Sequence, residues 1–142
     1  MLRTFQQRAE QEISGFQSPA ADYLEGRLNI ADILVIDPLC TFYFQMDSPA
    51  MKSYGLRSGD LLVIDRSLKA VHGAIVIAFV GDSFYCRCYV MEGNKPVLKG
   101  DSDTIRSTDG AVLQVWGVVT SICRNTLPAT LKKGRYKRVC TL

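Results

Sequence analysis

A chain of 142 residues with a formal net charge of +3 is long enough to bury about two-thirds of the surface its unfolded form exposes, so one domain needing neither disulfides nor a metal is expected. The charge falls well short of what a dedicated nucleic-acid binder carries. Five cysteines, Cys40, Cys86, Cys88, Cys123 and Cys140, make an odd set without C-x-x-C spacing and with a single His beside them; free thiols in a reducing cytoplasm fit, and no metal or cofactor site is expected. No run of about 18 apolar residues occurs, and the start from Met1 to Arg8 lacks the apolar stretch of a signal peptide, which predicts a soluble cytoplasmic protein without membrane contact.

Residues 1–30 read as an N-terminal arm. Arg8 to Ile13 carries a turn or two of helical pattern, too short and polar to be stable alone. Ser14-Gly15-Phe16-Gln17-Ser18-Pro19 then breaks it, because Gly15 is permissive and Pro19 biases Ser18 to extended geometry. A second helical start follows, with Ser18 as N-cap and Pro19 in the first turn.

From residue 31 the period is two. Ala31 to Ile36 and Thr41 to Met46 read as strands split by the turn signal Asp37-Pro38, and Asp60 to Asp65 as the next. Ala74 to Val80 and Ser83 to Met91 flank Gly81-Asp82 as a hairpin. Pro96 to Lys99 and Val112 to Cys123 are further strands around a polar loop from Gly100 to Gly110. Seven closely spaced strands predict a mostly β, curved antiparallel domain over residues 31–126, with Trp116, Val118, Ile75, Ile77, Leu61 and Val63 in its core. Alternation puts Cys86 and Cys88 on the face of Phe84, where they pack as core residues rather than as a redox pair. His72, in Val71-His72-Gly73, reads as a turn residue, with no second His or Ser-x-Gly elbow to support a triad. Residues 127–142 form a basic tail, with five cations and no acid between Leu127 and Arg138. It reads as a frayed, solvated terminus, the alternative being contact with phosphates or an acidic partner.

The stretch from Met46 to Asp65 is a polar turn, a loop and a strand, a layout that delivers a side chain to the mouth of a β fold. Its loop resembles the nucleophile loop of the LexA/UmuD (peptidase S24) group of self-cleaving serine proteins. Gly15-Phe16, Ser18-Pro19-Ala20-Ala21-Asp22-Tyr23, Gly59-Asp60-Leu61-Leu62, His72-Gly73, Ile75-Val76-Ile77-Ala78 and Gly117-Val118-Val119 make the resemblance UmuD-like, and it spans Gly15 to about Cys123. It implies a β-clip type domain, as in LexA and UmuD C-terminal domains, that dimerises. It also implies an extended arm cut by the protein's own Ser/Lys dyad with the help of a RecA filament. The trimmed dimer then joins a Y-family polymerase for translesion synthesis in the SOS response to DNA damage. No helix-turn-helix precedes the arm, which argues against a LexA-type repressor.

The dyad is where this sequence departs. The family's Ser stands nine residues before the Gly of Gly-Asp-Leu-Leu, and nine back from Gly59 is Ala50. The family's Lys lies on the strand after the Gly81-Asp82 turn, which places it at Arg87. The mechanism needs a hydroxyl to attack and a neutral amine to take its proton, whereas arginine stays protonated in proteins. The cut, before Gly15 in the family, falls here between Ser14 and Gly15. The expectation is a catalytically inactive UmuD-like dimer, a homodimer or a heterodimer with UmuD-type subunits, that serves a Y-family polymerase and meets a RecA filament, with direct DNA contact weak at most. The alternative is a self-cleaving protease that uses Ser48 of Asp47-Ser48, or one whose Ser at position 50 has been engineered out.

Overall fold

The computed structural model describes residues 29–107, 113–131 and 139–142. The predicted arm helices and the Ser14–Gly15 junction lie outside the described residues, as does most of the basic run. The chain divides into two compact units, Met1–Leu34 and Val35–Leu142.

Of the first unit, the described part is a short helix, α1 (Ile30–Leu34), where alternation had predicted a strand from Ala31. Asn29 starts the helix: its Oδ1 accepts from the Ala31 N–H at 3.0 Å and its carbonyl from the Asp32 N–H at 3.0 Å. Ile30, Ile33 and Leu34 fit a helical stripe as well as they fit alternation, and in so short an apolar run the N-cap decides. The predicted Asp37-Pro38 turn is present, with the Asp37 carbonyl accepting from the Cys40 N–H at 3.1 Å and from Thr41 Oγ1 at 2.6 Å.

The second unit is an open, curled eight-stranded sheet. Its strands are β1 (Thr41–Gln45), β2 (Leu61–Asp65), β3 (Ile75–Val80), β4 (Ser83–Glu92), β5 (Lys95–Lys99), β6 (Thr104–Arg106), β7 (Gln114–Cys123) and β8 (Cys140–Thr141). Their order is β6-β5-β4-β3-β7-β2-β1-β8. Every pairing is antiparallel except β1 with β8. The mostly antiparallel β fold expected from the sequence is therefore correct, and the Gly81-Asp82 hairpin joins β3 to β4 with Gly81 at a φ of 64°. Two strands escaped the sequence reading. β6 sits inside the polar loop, and β8 lies within what read as a frayed tail. The chain there is tied down rather than frayed, with Leu142 donating to the Gln45 carbonyl at 2.9 Å and accepting from the Asp47 N–H at 3.2 Å.

Apolar side chains gather in two clusters. The larger joins Phe44, Met46, Met51, Leu56, Leu62, Ile64, Ile77, Cys86 and Cys88, with Ile75 and Trp116 packed against it. The smaller joins Val76, Ala78, Leu98 and Val118. Five of the six expected core residues serve these clusters or are buried, but Leu61 is half-buried while its neighbours Leu62 and Ile64 are fully enclosed. β2 lies between β1 and β7 with both faces covered, so alternation could not rank its residues.

β7 organises the middle of the sheet. Its register against β3 skips Trp116, and against β2 it skips Thr120, so it carries two bulges; such bulges sharpen local twist and curl a sheet. Trp116 thereby stands among Phe42, Phe44 and Phe84, with ring centroids 5.2, 5.4 and 5.6 Å away. At Gly117 a Cβ would stand 2.5 Å from Ile64 Cγ2, so only glycine lets β7 approach β2 this closely.

Candidate functional site

The loop from Met46 to Asp60 is closed at its base by its own backbone. The Gly59 N–H donates to the Met46 carbonyl at 2.6 Å, and the Met46 N–H to the Asp60 carbonyl at 2.8 Å. Met51 and Leu56 drive into the larger cluster, both buried, and the Met51 carbonyl accepts from the Tyr54 and Leu56 amides. Two turns need left-handed backbone and have glycine there, Gly55 at φ 86° and Gly59 at φ 93°. Anchored in this way, the loop presents Ala50 half-buried at its crest.

An ion pair with one partner buried reinforces the base. The fully enclosed Asp60 carboxylate accepts from Arg124 Nε and Nη2, both at 2.6 Å, and from the Arg57 amide at 2.8 Å. Arg124 Nη2 also donates to the Gly55 carbonyl at 2.8 Å, stitching the turn to the end of β7. Burial pushes the Asp60 carboxyl up, but the Arg124 hydrogen bonds and the Arg57 amide outweigh it, and its pKa lies below the usual carboxylate range.

Arg87 projects from the middle of β4, between two thiols that face the other way into the core. It is 8 % exposed. Nε and Nη2 grip both oxygens of Asp103 at 2.9 and 2.7 Å, Nη1 donates to the Cys86 carbonyl at 2.7 Å, and the guanidinium carbon lies 5.3 Å from the centre of the Tyr85 ring. This bidentate geometry suits the planar fork of arginine and would be lost with a lysine.

One turn, residues 100–103, joins these two places. A Cβ at Gly100 would stand 2.9 Å from Arg87 Nε, and the next residue, Asp101, donates its N–H to the Ala50 carbonyl at 2.8 Å. The Asp101 carboxylate accepts from the Ser53 N–H at 3.1 Å and from the Ser53 hydroxyl. That hydroxyl, with help from the backbone, holds the carboxyl below its usual range. Ala50 and Arg87, far apart in sequence, therefore each contact one of two consecutive residues, Asp101 and Gly100. Ser48 is on the same loop, where its Oγ accepts from the Ala50 N–H at 3.2 Å, a local turn bond.

A methyl group at 50 and a guanidinium at 87 offer neither a nucleophilic oxygen nor a lone pair to take its proton. What these residues do instead is hold a loop, a turn and a strand together. Asp101, Asp103, Ser53 and the Asp60–Arg124 pair escaped the sequence reading. A signal for Asp103 existed, because an arginine in the interior of a buried strand requires a carboxylate, and Gly100-Asp101-Ser102-Asp103 supplies two directly after β5. His72 is the turn residue expected, its Nδ1 accepting from the Met91 N–H at 3.0 Å. Cys86 is a core thiol, its pKa pushed up to about 12 by burial. Among the described residues, no group of His, Cys, Asp and Glu is arranged to hold a metal, and no helix is long and apolar enough to cross a membrane.

An open, curled, mostly antiparallel sheet of this kind fits the β domain of the LexA/UmuD C-terminal type. Residues 10–120 match the Peptidase S24-like family, and the chain belongs to it. It is 34 % identical to Protein ImpA of Salmonella typhimurium over 115 residues, covering 80 % of this chain and 79 % of that protein. It is 32 % identical to Protein MucA of Escherichia coli over 110 residues, 75 % of each chain. A LexA repressor of Shewanella piezotolerans is more distant, 24 % identical over 110 residues, covering 75 % of this chain and 53 % of the repressor. The likeness is thus UmuD-like rather than repressor-like.

Proposed function

We propose that this protein is a non-cleaving UmuD-like subunit of the DNA-damage response. It forms a homodimer, or a heterodimer with intact UmuD-type subunits, and serves as accessory to a Y-family polymerase in translesion synthesis. The observation that carries this reading is the setting of Arg87. If it occupies the place of the family's general base, that place holds a permanent cation clamped to Asp103 and the Cys86 carbonyl, opposite a loop whose crest residue is Ala50. Losing either member of a nucleophile–base unit costs nearly as much as losing both, and here both are gone. Ser48 is the alternative nucleophile, but its Oγ is engaged in its own turn with Ala50, which favours the non-cleaving reading. Membership of the Peptidase S24-like family and the likeness to ImpA and MucA support the placement among SOS mutagenesis proteins.

The test is recovery of the tagged chain from DNA-damaged native cells, followed by identification of what accompanies it and by its intact mass. A full-length chain carrying a UmuD-type subunit or a Y-family polymerase is expected. A chain recovered trimmed at Gly15, or one that brings down neither partner, would overturn the proposal.

A further inference from the structure

Position 87 differs from a general-base site in more than the residue that fills it. Arg87 is 9 % exposed at its side chain, and its carboxylate contact among the described residues, Asp103, is 43 % exposed and held in two-point register. The turn carrying Asp103 is fixed at both ends. The Gly100 N–H donates to the Asp103 carbonyl at 3.0 Å, and Asp101 is tied to Ala50 and Ser53. A carboxylate so placed stabilises whatever cation occupies position 87 and disfavours its neutral form. The other neighbours do not offset it. From β3 the register partner is Val76, which does not titrate. From β4 itself come the Tyr85 ring, which favours a cation over its face, and the Cys86 and Cys88 thiols turned into the core. In the turn, the Asp101 carboxylate faces Ser53. Lys99, at the end of β5, is paired with Glu92 at 2.8 Å.

We infer that Asp103 is a third residue that keeps this site from self-cleaving chemistry, a positioning residue whose carboxylate would hold even a lysine at position 87 in its charged form. The inference rests on the proposed equivalence of Ala50 and Arg87 to a Ser/Lys pair, and it makes restoring that pair insufficient. In the chemistry at issue, the introduced hydroxyl oxygen bonds to the carbonyl carbon of Ser14 as its proton passes to the neutral amine. The Ser14–Gly15 bond then breaks, the same proton goes to the leaving Gly15 nitrogen, and water hydrolyses the resulting ester. An amine that stays protonated cannot take the first proton, however well placed it is.

The experiment compares Ala50→Ser/Arg87→Lys with the same protein carrying also Asp103→Asn, and with a third carrying Asp103→Glu, which keeps the charge. Two quantities are read: self-cleavage against pH, and the titration midpoint of the introduced lysine, followed by NMR of its ¹³C-methylated amine as the resonance absent from the parent. An opposite charge in contact shifts a pKa by about 1–3 units, and the half-exposed carboxylate sets the lower end, so Asp103→Asn should lower the midpoint by about one unit or more. Cleavage at pH 8 should rise about tenfold or more with it, and Asp103→Glu should behave like the double variant. Equal midpoints with and without Asp103, or Asp103→Glu matching Asp103→Asn, would overturn the inference whether or not any variant cleaves. A lowered midpoint with no cleavage in any variant upholds the hold of Asp103 on the charge at position 87 but overturns the equivalence of positions 50 and 87 to a working dyad, and with it the restraining role.

Discussion

Replacing Arg124 with methionine keeps most of the apolar stem of the side chain and removes the charge that neutralises Asp60. The fully buried carboxylate would be left with the Arg57 amide and without its two 2.6 Å bonds to the guanidinium. Breaking a buried pair by removing one partner costs about 3–5 kcal/mol. Arg124 is 37 % exposed, and water that reaches the vacated space reduces the penalty, so about 2–3 kcal/mol is expected. For a chain of this size that corresponds to a fall in Tm of about 6–10 °C. The loss depends on pH in a defined direction. In the unmodified protein the Asp60 pKa is lowered, so its contribution is present above the ordinary carboxylate value and is lost as pH falls through the folded value. In Arg124→Met, burial is opposed only by the Arg57 amide and charge and the folded pKa rises, so the deficit is largest near pH 7 and shrinks on acidification. Urea unfolding at pH 7 and pH 4, at one protein concentration, measures both quantities. A variant within 0.5 kcal/mol of the parent at pH 7, or a deficit equal at the two pH values, would refute the assignment of Asp60–Arg124 as the clasp of the loop.

Gly117→Ala places a Cβ 2.5 Å from the enclosed Ile64 Cγ2 and should cost about 1–3 kcal/mol by thermal melting, where an unchanged Tm would show that β7 has room to shift. Cys86 is buried, with a pKa of about 12, whereas Cys140 is exposed; at pH 8, maleimide labelling followed by peptide mapping should modify Cys86 at least about a hundredfold more slowly. The Glu92 carboxyl, held by Arg106 at 2.5 Å and Lys99 at 2.8 Å, has its pKa brought down to about 2. Arg106→Ala should raise its NMR titration midpoint by about one unit, and no change would mean that Lys99 alone sets it. Ala50→Ser by itself should give no trimming at any pH at which the protein is folded, since the guanidinium at position 87 has no lone pair to take the hydroxyl proton; cleavage by this single variant would show that the base lies elsewhere.

What the residues revealed in advance was set by how local the signal was. Asp37-Pro38 and Gly81-Asp82 mark their turns with chemistry confined to two residues, and both turns are there. The alternation of Phe84, Cys86 and Cys88 placed the thiols inward, as found. The strand expected at Ala31 failed because Asn29, one residue outside the apolar run, supplies a helix cap. β8 was invisible because two residues carry no period, and its pairing with β1 is fixed only by chain from the far end of the sequence. At the candidate site, counting from Gly59 and from the Gly81-Asp82 turn selected Ala50 and Arg87, and each of them contacts the turn of residues 100–103. That turn follows directly on the β4–β5 hairpin, but the contact that makes it a strut, Asp101 with Ser53, joins residues 48 apart, and no local pattern encodes it. Asp60 read as the first residue of a strand, and its partner Arg124 comes from the end of β7, so neither could be seen as a clasp until the strands were ordered.

The proposed non-cleaving character is tested most directly by the intact mass of the unmodified protein after incubation with RecA, a nucleoside triphosphate and single-stranded DNA, alongside a cleavage-competent UmuD-type protein in the same tube. The competent protein should be trimmed while this chain keeps its full mass over the same period. Appearance of a fragment beginning at Gly15 would show that the unmodified chain contains a working nucleophile and base, contradicting the inert roles of Ala50 and Arg87 and the restraining role of Asp103.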